Sequence, residues 1–391
     1  MERQGTSSDS LSSRDLALLE KANAEALKTS WLMTAPNPRV GALALKNGHV
    51  VGRGAHEFLG GMHAEESALR DAGAWPRDSS KPLGGYVDEM VVTLEPCSAE
   101  SESKRRAPCV KALLAAGVQR VLVGAIDVNP QHRGRGLDAL RERGVKVDIS
   151  SEPLPFLVSN AAFSRSVDNL DRPWVLLKWA ATLDGKVAAP IGGPKWISGE
   201  ESRKEVHRIR ALSDAVLVGK GTLEIDNPQL DARPSGGMCE SQPLRVFLGG
   251  GASVGSSAAV FSRPGLRLWV LGAEESPSDA LEAGMDSGED CVIKVEKGHH
   301  GLDIRALLEC LRKDFSVKRL LVEGGPTTHG TFLSEGLVDA VLLYRAPKVF
   351  GGGLAACQMD ELSAVELDAS SVERRILGED SREAFQVRTI N

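Results

Sequence analysis

Gly61-Met62-His63-Ala64-Glu65, then Thr93-Leu94-Glu95-Pro96-Cys97, then Pro108-Cys109, are the stretches on which the reading of this chain turns. The first opens a helical pattern, the second ends a β-prone run and the third starts the next helical pattern. One imidazole and two thiolates near helix starts make three soft ligands and leave a fourth tetrahedral position for water, the pattern of a catalytic zinc rather than a structural one. Helix dipoles are expected to help keep the thiolates ionised. Glu65 stands close enough to His63 to serve water at that position without being a ligand, which makes it the candidate proton carrier. Any one of these residues alone would be ordinary: a packed histidine, or a cysteine acting as a small hydrophobe. Their order, the glutamate just after the histidine and a proline before each cysteine together favour Zn2+.

Around these stretches, residues 15–150 alternate between helical and β-prone patterns. Helical spacing runs from Asp15 to Leu27, Ala64 to Ala72, Cys109 to Ala116 and Leu137 to Glu142. Strands are expected at Val40 to Lys46, His49 to Gly54, Met90 to Leu94, Arg120 to Ile126 and Val145 to Ile149, with Asn47-Gly48 as a tight hairpin turn. Such alternation implies a largely parallel sheet covered on both faces. It breaks between Ser150 and Arg172, where Pro153, Pro155 and Pro173 bracket a short helix-like patch, so residues 151–172 are read as a linker and residues 1–14, rich in serine, as a disordered tail.

A second α/β pattern follows over residues 173–391. Its strands are expected at Trp174 to Trp179, Ala215 to Gly219, Leu244 to Leu248, Leu266 to Leu271, Cys291 to Val295, Arg319 to Val322 and Ala340 to Tyr344, with helical runs at Glu200 to Leu212 and Asp303 to Lys313. Leu321-Val322-Glu323-Gly324-Gly325-Pro326-Thr327 reads as a strand, a Gly-Gly turn and a helix start, where backbone amides can approach a phosphate. No repeat links the two halves, so two different chemistries are expected.

Composition narrows the function classes. The chain has 391 residues with 47 Lys+Arg against 53 Asp+Glu, 42% hydrophobic and 26% charged residues, which excludes an intrinsically disordered chain and a polybasic nucleic-acid binder. Only 4% of residues are aromatic, too few for a protein that stacks single-stranded bases. Six cysteines are too few for a disulfide scaffold, no apolar stretch is long enough to span a membrane and the first residues lack an apolar signal core. A soluble, cytoplasmic α/β protein with a small-molecule substrate is expected.

His-x-Glu with downstream Pro-Cys and Cys is the signature of zinc deaminases of amino-substituted pyrimidines and purines. Eleven residues separate Cys97 from Cys109, more than that signature usually has. This longer spacing, with Thr34-Ala35-Pro36-Asn37-Pro38-Arg39-Val40-Gly41-Ala42 and Gly52-Arg53-Gly54-Ala55-His56, resembles the bifunctional deaminase/reductase family of riboflavin biosynthesis. In the second half, Lys178-Trp179-Ala180-Ala181-Thr182-Leu183-Asp184-Gly185-Lys186, Trp196-Ile197-Ser198-Gly199, Gly219-Lys220-Gly221-Thr222, Asp226-Asn227-Pro228 and Leu230-Asp231-Ala232-Arg233 carry the same resemblance in family order.

The resemblance implies a cytidine-deaminase-like three-layer domain followed by a dihydrofolate-reductase-like α/β domain. It implies zinc on His63, Cys97 and Cys109, proton transfer by Glu65, and substrate contacts from Asn37, His56 and Arg105. In the second domain it implies NADPH contacts from Ala180, Trp196, Thr222, Asp226 and Gly325, and substrate contacts from Arg210, Leu230, Arg233 and Glu323. The two arginines suit a phosphorylated sugar. The implied substrate is a phosphoribosyl diaminopyrimidinone, first deaminated and then reduced at the ribose carbon, by an enzyme that forms a homo-oligomer. Three departures stand out: Ala99 where the family reads histidine, Pro194 where it has serine, and Gly249 where it has an acidic residue. Two other readings remain open. One is a single-activity reductase with a degenerate deaminase site; the other is a zinc deaminase of another base or nucleoside with a nucleotide-binding regulatory domain.

Overall fold

The computed structural model describes residues 11–75, 86–98, 108–130, 132–158, 160–168, 170–189, 196–234, 237–239, 241–251, 253–286, 288–299, 301–358 and 365–387. Arg105, Ala99 and Pro194 lie outside these residues. The chain divides into two compact units, residues 1–168 and 169–391.

The first unit is a three-layer sandwich. Its sheet has the order β2-β1-β3-β4-β5, from β1 (Gly41–Lys46), β2 (His49–Ala55), β3 (Glu89–Val92), β4 (Arg120–Val123) and β5 (Lys146–Ile149). The β1–β2 and β1–β3 pairs are antiparallel, whereas β3, β4 and β5 run parallel. Side-chain alternation builds both cores from one sheet. Ala42, Ala44, Met90, Val92, Val121 and Val123 face α3 (Ala64–Asp71), α4 (Cys109–Ala115) and α5 (Arg135–Arg141). Leu43, Leu45, Val91 and Leu122 face α1 (Ser13–Leu27) and Phe156. A short turn of helix, α2 (Trp31–Thr34), follows α1.

Two expectations need correcting here. Residues 11–14 do not belong to a disordered tail, because Ser12 and Asp15 form a capping box that opens α1 at Ser13. Residues 151–168 hold more than the single short helical patch expected in a linker, because they carry two helices, α6 (Leu154–Val158) and α7 (Ala161–Asp168). Between these two helices the Asn160 side chain grips the backbone of Arg39, accepting from its N–H at 2.7 Å and donating to its carbonyl at 3.0 Å. The segment therefore holds down the Pro-Asn-Pro turn of the first unit.

The second unit has a nine-stranded sheet in the order β10-β9-β8-β7-β11-β6-β12-β14-β13. The strands are β6 (Trp174–Ala181), β7 (Ala215–Gly219), β8 (Leu244–Leu248), β9 (Arg267–Gly272), β10 (Asp290–Val295), β11 (Arg319–Val322), β12 (Ala340–Arg345), β13 (Leu367–Leu377) and β14 (Asp380–Val387). From β10 to β12 all neighbours are parallel, and the hairpin β13–β14 closes one edge antiparallel. Its helices are α8 (Glu200–Ala211), α9 (Lys220–Asp226), α10 (Asp279–Asp286), α11 (Ile304–Lys313) and α12 (Pro326–Ser334). Because β11 inserts between β6 and β7, the chain direction across the sheet reverses there. Ligand crevices form beyond the carboxyl ends of strands at such a point.

Candidate active sites

In the first unit β2 places α3 directly against the sheet. A Cβ on Gly54 would lie 2.3 Å from the Ala64 carbonyl, and one on Gly52 would lie 2.3 Å from that of Ala68, so only glycine allows this approach. His63 caps α3 and Cys109 opens α4, which brings two helix starts to one point. Cys97 follows the end of β3, and its Sγ accepts the Cys109 backbone N–H at 3.4 Å. His63 Nδ1 lies 3.1 Å from Cys109 Sγ and 3.6 Å from Cys97 Sγ. One ligand atom from each of the three residues lies within 4.8 Å of the others.

These distances and the one-nitrogen, two-sulfur donor set fit Zn2+. The electrostatics fit it too. The Cys97 sulfur and then burial push the Cys109 thiol well up, and burial pushes the Glu65 carboxyl up. A divalent cation among these groups inverts that balance. Glu65 is buried in the first turn of α3, facing both cysteines.

One supporting group escapes sequence reading. Glu95, buried two residues before Cys97, accepts the backbone N–H groups of Asp127 at 3.1 Å, Gly134 at 2.9 Å and Gly136 at 2.8 Å. It ties the cysteine-bearing turn to the loop before α5. No local signal marks this, because its partners lie on a loop distant in sequence. His56 is buried with Nδ1 at 2.8 Å from the Met62 carbonyl, and its ring meets that of His63 edge-on at 5.7 Å. The expected pocket residue His56 thus stands beside the metal ligand. Asn37 follows a cis Ala35–Pro36 bond, and its N–H donates to the Thr34 carbonyl at 2.9 Å.

In the second unit the carboxyl ends of β7 and β11 lead into α9 and α12. Gly219 and Gly325 cap these helices, and a Cβ on Gly325 would stand 3.3 Å from Thr222 Oγ1. Thr222 and Gly325, both expected at the cofactor, are therefore adjacent. Ala180 lies in β6 opposite Tyr344. Trp196 is exposed, with the Arg203 guanidinium 5.2 Å from its ring centroid. Asp226 ends α9 and is exposed.

The substrate candidates converge more closely. Glu323, just past β11, accepts from Arg210 Nε at 2.6 Å and Nη2 at 3.0 Å, and from Lys178 Nζ at 3.4 Å. Burial alone would push the Glu323 carboxyl up, but Arg210 and Lys178 hold it at about 2. Arg210 Nη1 also donates to the Asp231 carbonyl at 3.1 Å. Arg233 Nε lies 3.1 Å from Asp231 Oδ2. Leu230 is buried at φ 57°, a left-handed conformation uncommon for leucine and a mark of a site held under strain. Lys178 was part of a quoted motif yet had no assigned role; only the fold shows that its side chain ends beside Glu323.

Comparison with known proteins follows this division. The model for the cytidine and deoxycytidylate deaminase zinc-binding region matches residues 12–125, and that for the RibD C-terminal domain matches residues 173–378. The riboflavin biosynthesis protein RibD of Aquifex aeolicus is 36% identical over 329 residues, covering 82% of this chain and 84% of that protein. That of Escherichia coli K12 is 34% identical over 330 residues, covering 81% and 84%. A solved structure of Acinetobacter baumannii RibD superimposes with a TM-score of 0.67 at 29% identity, covering 96% of this chain and 99% of that one. The Thermotoga maritima diaminohydroxyphosphoribosylaminopyrimidine deaminase/5-amino-6-(5-phosphoribosylamino)uracil reductase gives 0.64 at 28% identity, with the same coverage.

Proposed function

Because this chain belongs to the RibD family, and is thus a riboflavin-biosynthesis deaminase and reductase, we propose that it acts on 2,5-diamino-6-(5-phosphoribosylamino)pyrimidin-4(3H)-one. The first unit would replace the ring amino group by oxygen, and the second would reduce the ribosyl to the ribityl chain. The observation that carries the reading is the convergence of His63, Cys97 and Cys109 within 4.8 Å beside buried Glu65, in one chain with the Arg210–Glu323–Lys178 cluster.

His63, Cys97 and Cys109 would hold zinc, which supplies the Lewis acidity that makes water nucleophilic near neutral pH. Glu65 takes the proton of the attacking water and delivers protons to the ring nitrogen and the departing ammonia. His56 and Asn37 shape the wall against which the pyrimidine lies, with Arg105 as a further contact to its phosphate. In the second unit NADPH is the hydride source. Ala180, Trp196, Thr222, Asp226 and Gly325 bind it, and Glu323 with Leu230, Arg210 and Arg233 orients the opened sugar. Lys178, beside Glu323, is placed to return a proton to the sugar oxygen. The enzyme works in the cytoplasm as a homo-oligomer, a state that light scattering reads directly.

Metal analysis with an ammonia-release assay on the diaminopyrimidinone phosphate tests the first half. Equimolar zinc and NADPH-independent ammonia release are expected. Absence of zinc and of ammonia release would leave a single-activity reductase. NADPH oxidation that appears only after deamination tests the second half.

A further inference from the structure

The Arg210 guanidinium is already engaged. Its Nε and Nη2 bind Glu323 at 2.6 and 3.0 Å and its Nη1 binds the Asp231 carbonyl at 3.1 Å, so it cannot offer a free fork to a phosphate. Asp231, in contrast, presents a buried carboxylate to two arginines. Arg233 Nε and Arg263 Nε lie 3.1 and 3.7 Å from the same oxygen, with side chains 34% and 37% exposed. Among the described residues neither guanidinium makes another ion pair or side-chain hydrogen bond, so both have their Nη groups unspent.

The turn that carries Arg263 is fixed in place. Buried Arg245 donates to the carbonyls of Val260 at 3.0 Å, Arg263 at 3.1 Å and Gly265 at 2.5 Å. The same turn docks on the Leu230-bearing loop, through Ala259 N–H to Asn227 Oδ1 at 2.7 Å and Gln229 Nε2 to Ser262 Oγ at 3.3 Å. Arg233 and Arg263 share one carboxylate, Asp231, so this pair keeps an excess of one positive charge. A phosphate monoester is an anion at neutral pH, with oxygens that two guanidinium forks can share.

We propose that Arg263 is a specificity-determining residue of the reductase, which grips the substrate's 5-phosphate together with Arg233 while Asp231 aims both forks. This rests on the reductase reading above. The test is steady-state kinetics of the full chain on the deaminated intermediate and on its dephosphorylated counterpart, comparing wild type with Arg263→Ala and Arg263→Lys. Arg263→Ala should raise KM for the phosphorylated substrate about tenfold, with kcat and the KM for NADPH near wild type. The preference for the phosphorylated over the dephosphorylated substrate should fall by a similar factor, and competitive inhibition by inorganic phosphate should weaken. Arg263→Lys should recover part of the loss, because charge persists without the paired hydrogen bonds. An unchanged preference overturns the assignment, as does a change in the KM for NADPH instead, which would place Arg263 on the cofactor. If wild type itself fails to reduce the intermediate, it is the reductase reading that falls.

Discussion

The two sites solve different problems with different kinds of structure. In the first unit three single atoms must hold one ion, so the chain compresses His63, Cys97 and Cys109 into a space of 4.8 Å, between helix starts and a strand end. In the second unit the proposed reaction must orient a large cofactor and a phosphorylated sugar, and the groups proposed for it are spread from Ala180 to Gly325 and held by charge pairs rather than shared ligation. A compact site concentrates its chemistry on few atoms, whereas a dispersed one distributes it. Substitutions should therefore have steep, selective effects in the first unit and mixed effects on binding, rate and stability in the second.

The sharpest contrast comes from Glu65→Gln. It removes the proposed proton carrier, and general acid–base groups contribute about 10^2 to 10^4 in rate, so deamination should fall by about 10^3. Because the Glu65 carboxyl is buried and pushed up, the neutral amide should cost little stability. Reduction of the deaminated intermediate should stay near wild type in the coupled assay. Loss of both activities together would break the comparison.

Glu323→Gln should behave in the opposite way, losing activity and stability at once. It leaves Arg210 buried without its carboxylate, and breaking a buried pair typically costs about 3 to 5 kcal/mol. The pH dependence has a fixed sign. The Glu323 carboxyl is held at about 2, below the usual glutamate value of 4.5, so its stabilisation is complete above about pH 4.5 and lost as pH falls toward 2. Chemical denaturation of both variants, read alongside their activities, measures the contrast. A Glu323→Gln protein as stable as wild type would contradict it.

Glu95→Ala probes how the compact site is supported. It strips three backbone N–H groups of one buried acceptor, a loss of about 2 to 3 kcal/mol. Zinc content after dialysis should fall, since the turn before Cys97 loses its tie to the loop before α5. Full zinc retention would show that the three ligands hold their geometry unaided.

The comparison also explains what could be read before the fold was known. The first site was legible because His-x-Glu and the two Pro-Cys pairs are local, and because Ala42, Leu43, Ala44 and Leu45 alternate between two cores. The Asn47-Gly48 turn was equally local, with φ values of 49° and 79°. Glu95 and Asn160 were not legible, since each acts on backbone far away in sequence. The hairpin β13–β14 escaped for a different reason. The inward face of β14 is Asp380, Arg382, Ala384 and Gln386, which shows no apolar alternation. Its polar groups are matched by partners outside the strand instead: Asp380 accepts from Gly199 N–H at 2.7 Å and Ser202 Oγ at 2.6 Å, and Arg382 lies 3.5 Å from Glu205 and from Glu373 of the neighbouring strand. Strand periodicity reports hydrophobic burial only, so a face buried through ion pairs reads as loop. Asp231 and Arg263 were hidden in the same way, their meeting being set by a turn that Arg245 organises.

The smallest expected effect lies far from either chemistry, at the start of α1. Asp15 accepts from Arg120 at 2.8 Å and from the Ser12 hydroxyl at 2.7 Å, while Arg120 also binds Asp148 at 2.7 Å and pairs with Glu89. One arginine thus ties α1 to three strands of the sheet. The Arg120 hydrogen bond, aided by Ser12, draws the Asp15 carboxyl down to about 2 from an ordinary value of 3.8. A depressed carboxylate stabilises the fold above its unfolded value and loses that stabilisation as pH falls through its folded value. The shift corresponds to about 2 kcal/mol, present at neutral pH and lost between about pH 4 and pH 2. Asp15→Asn should lower the stability of the first unit by about that amount at pH 7 and make no difference near pH 2. The second unit should melt unchanged, so two-phase denaturation curves followed against pH separate the units. Equal destabilisation at pH 7 and pH 2 would mean that Asp15 acts through packing or its capping geometry, not through its charge.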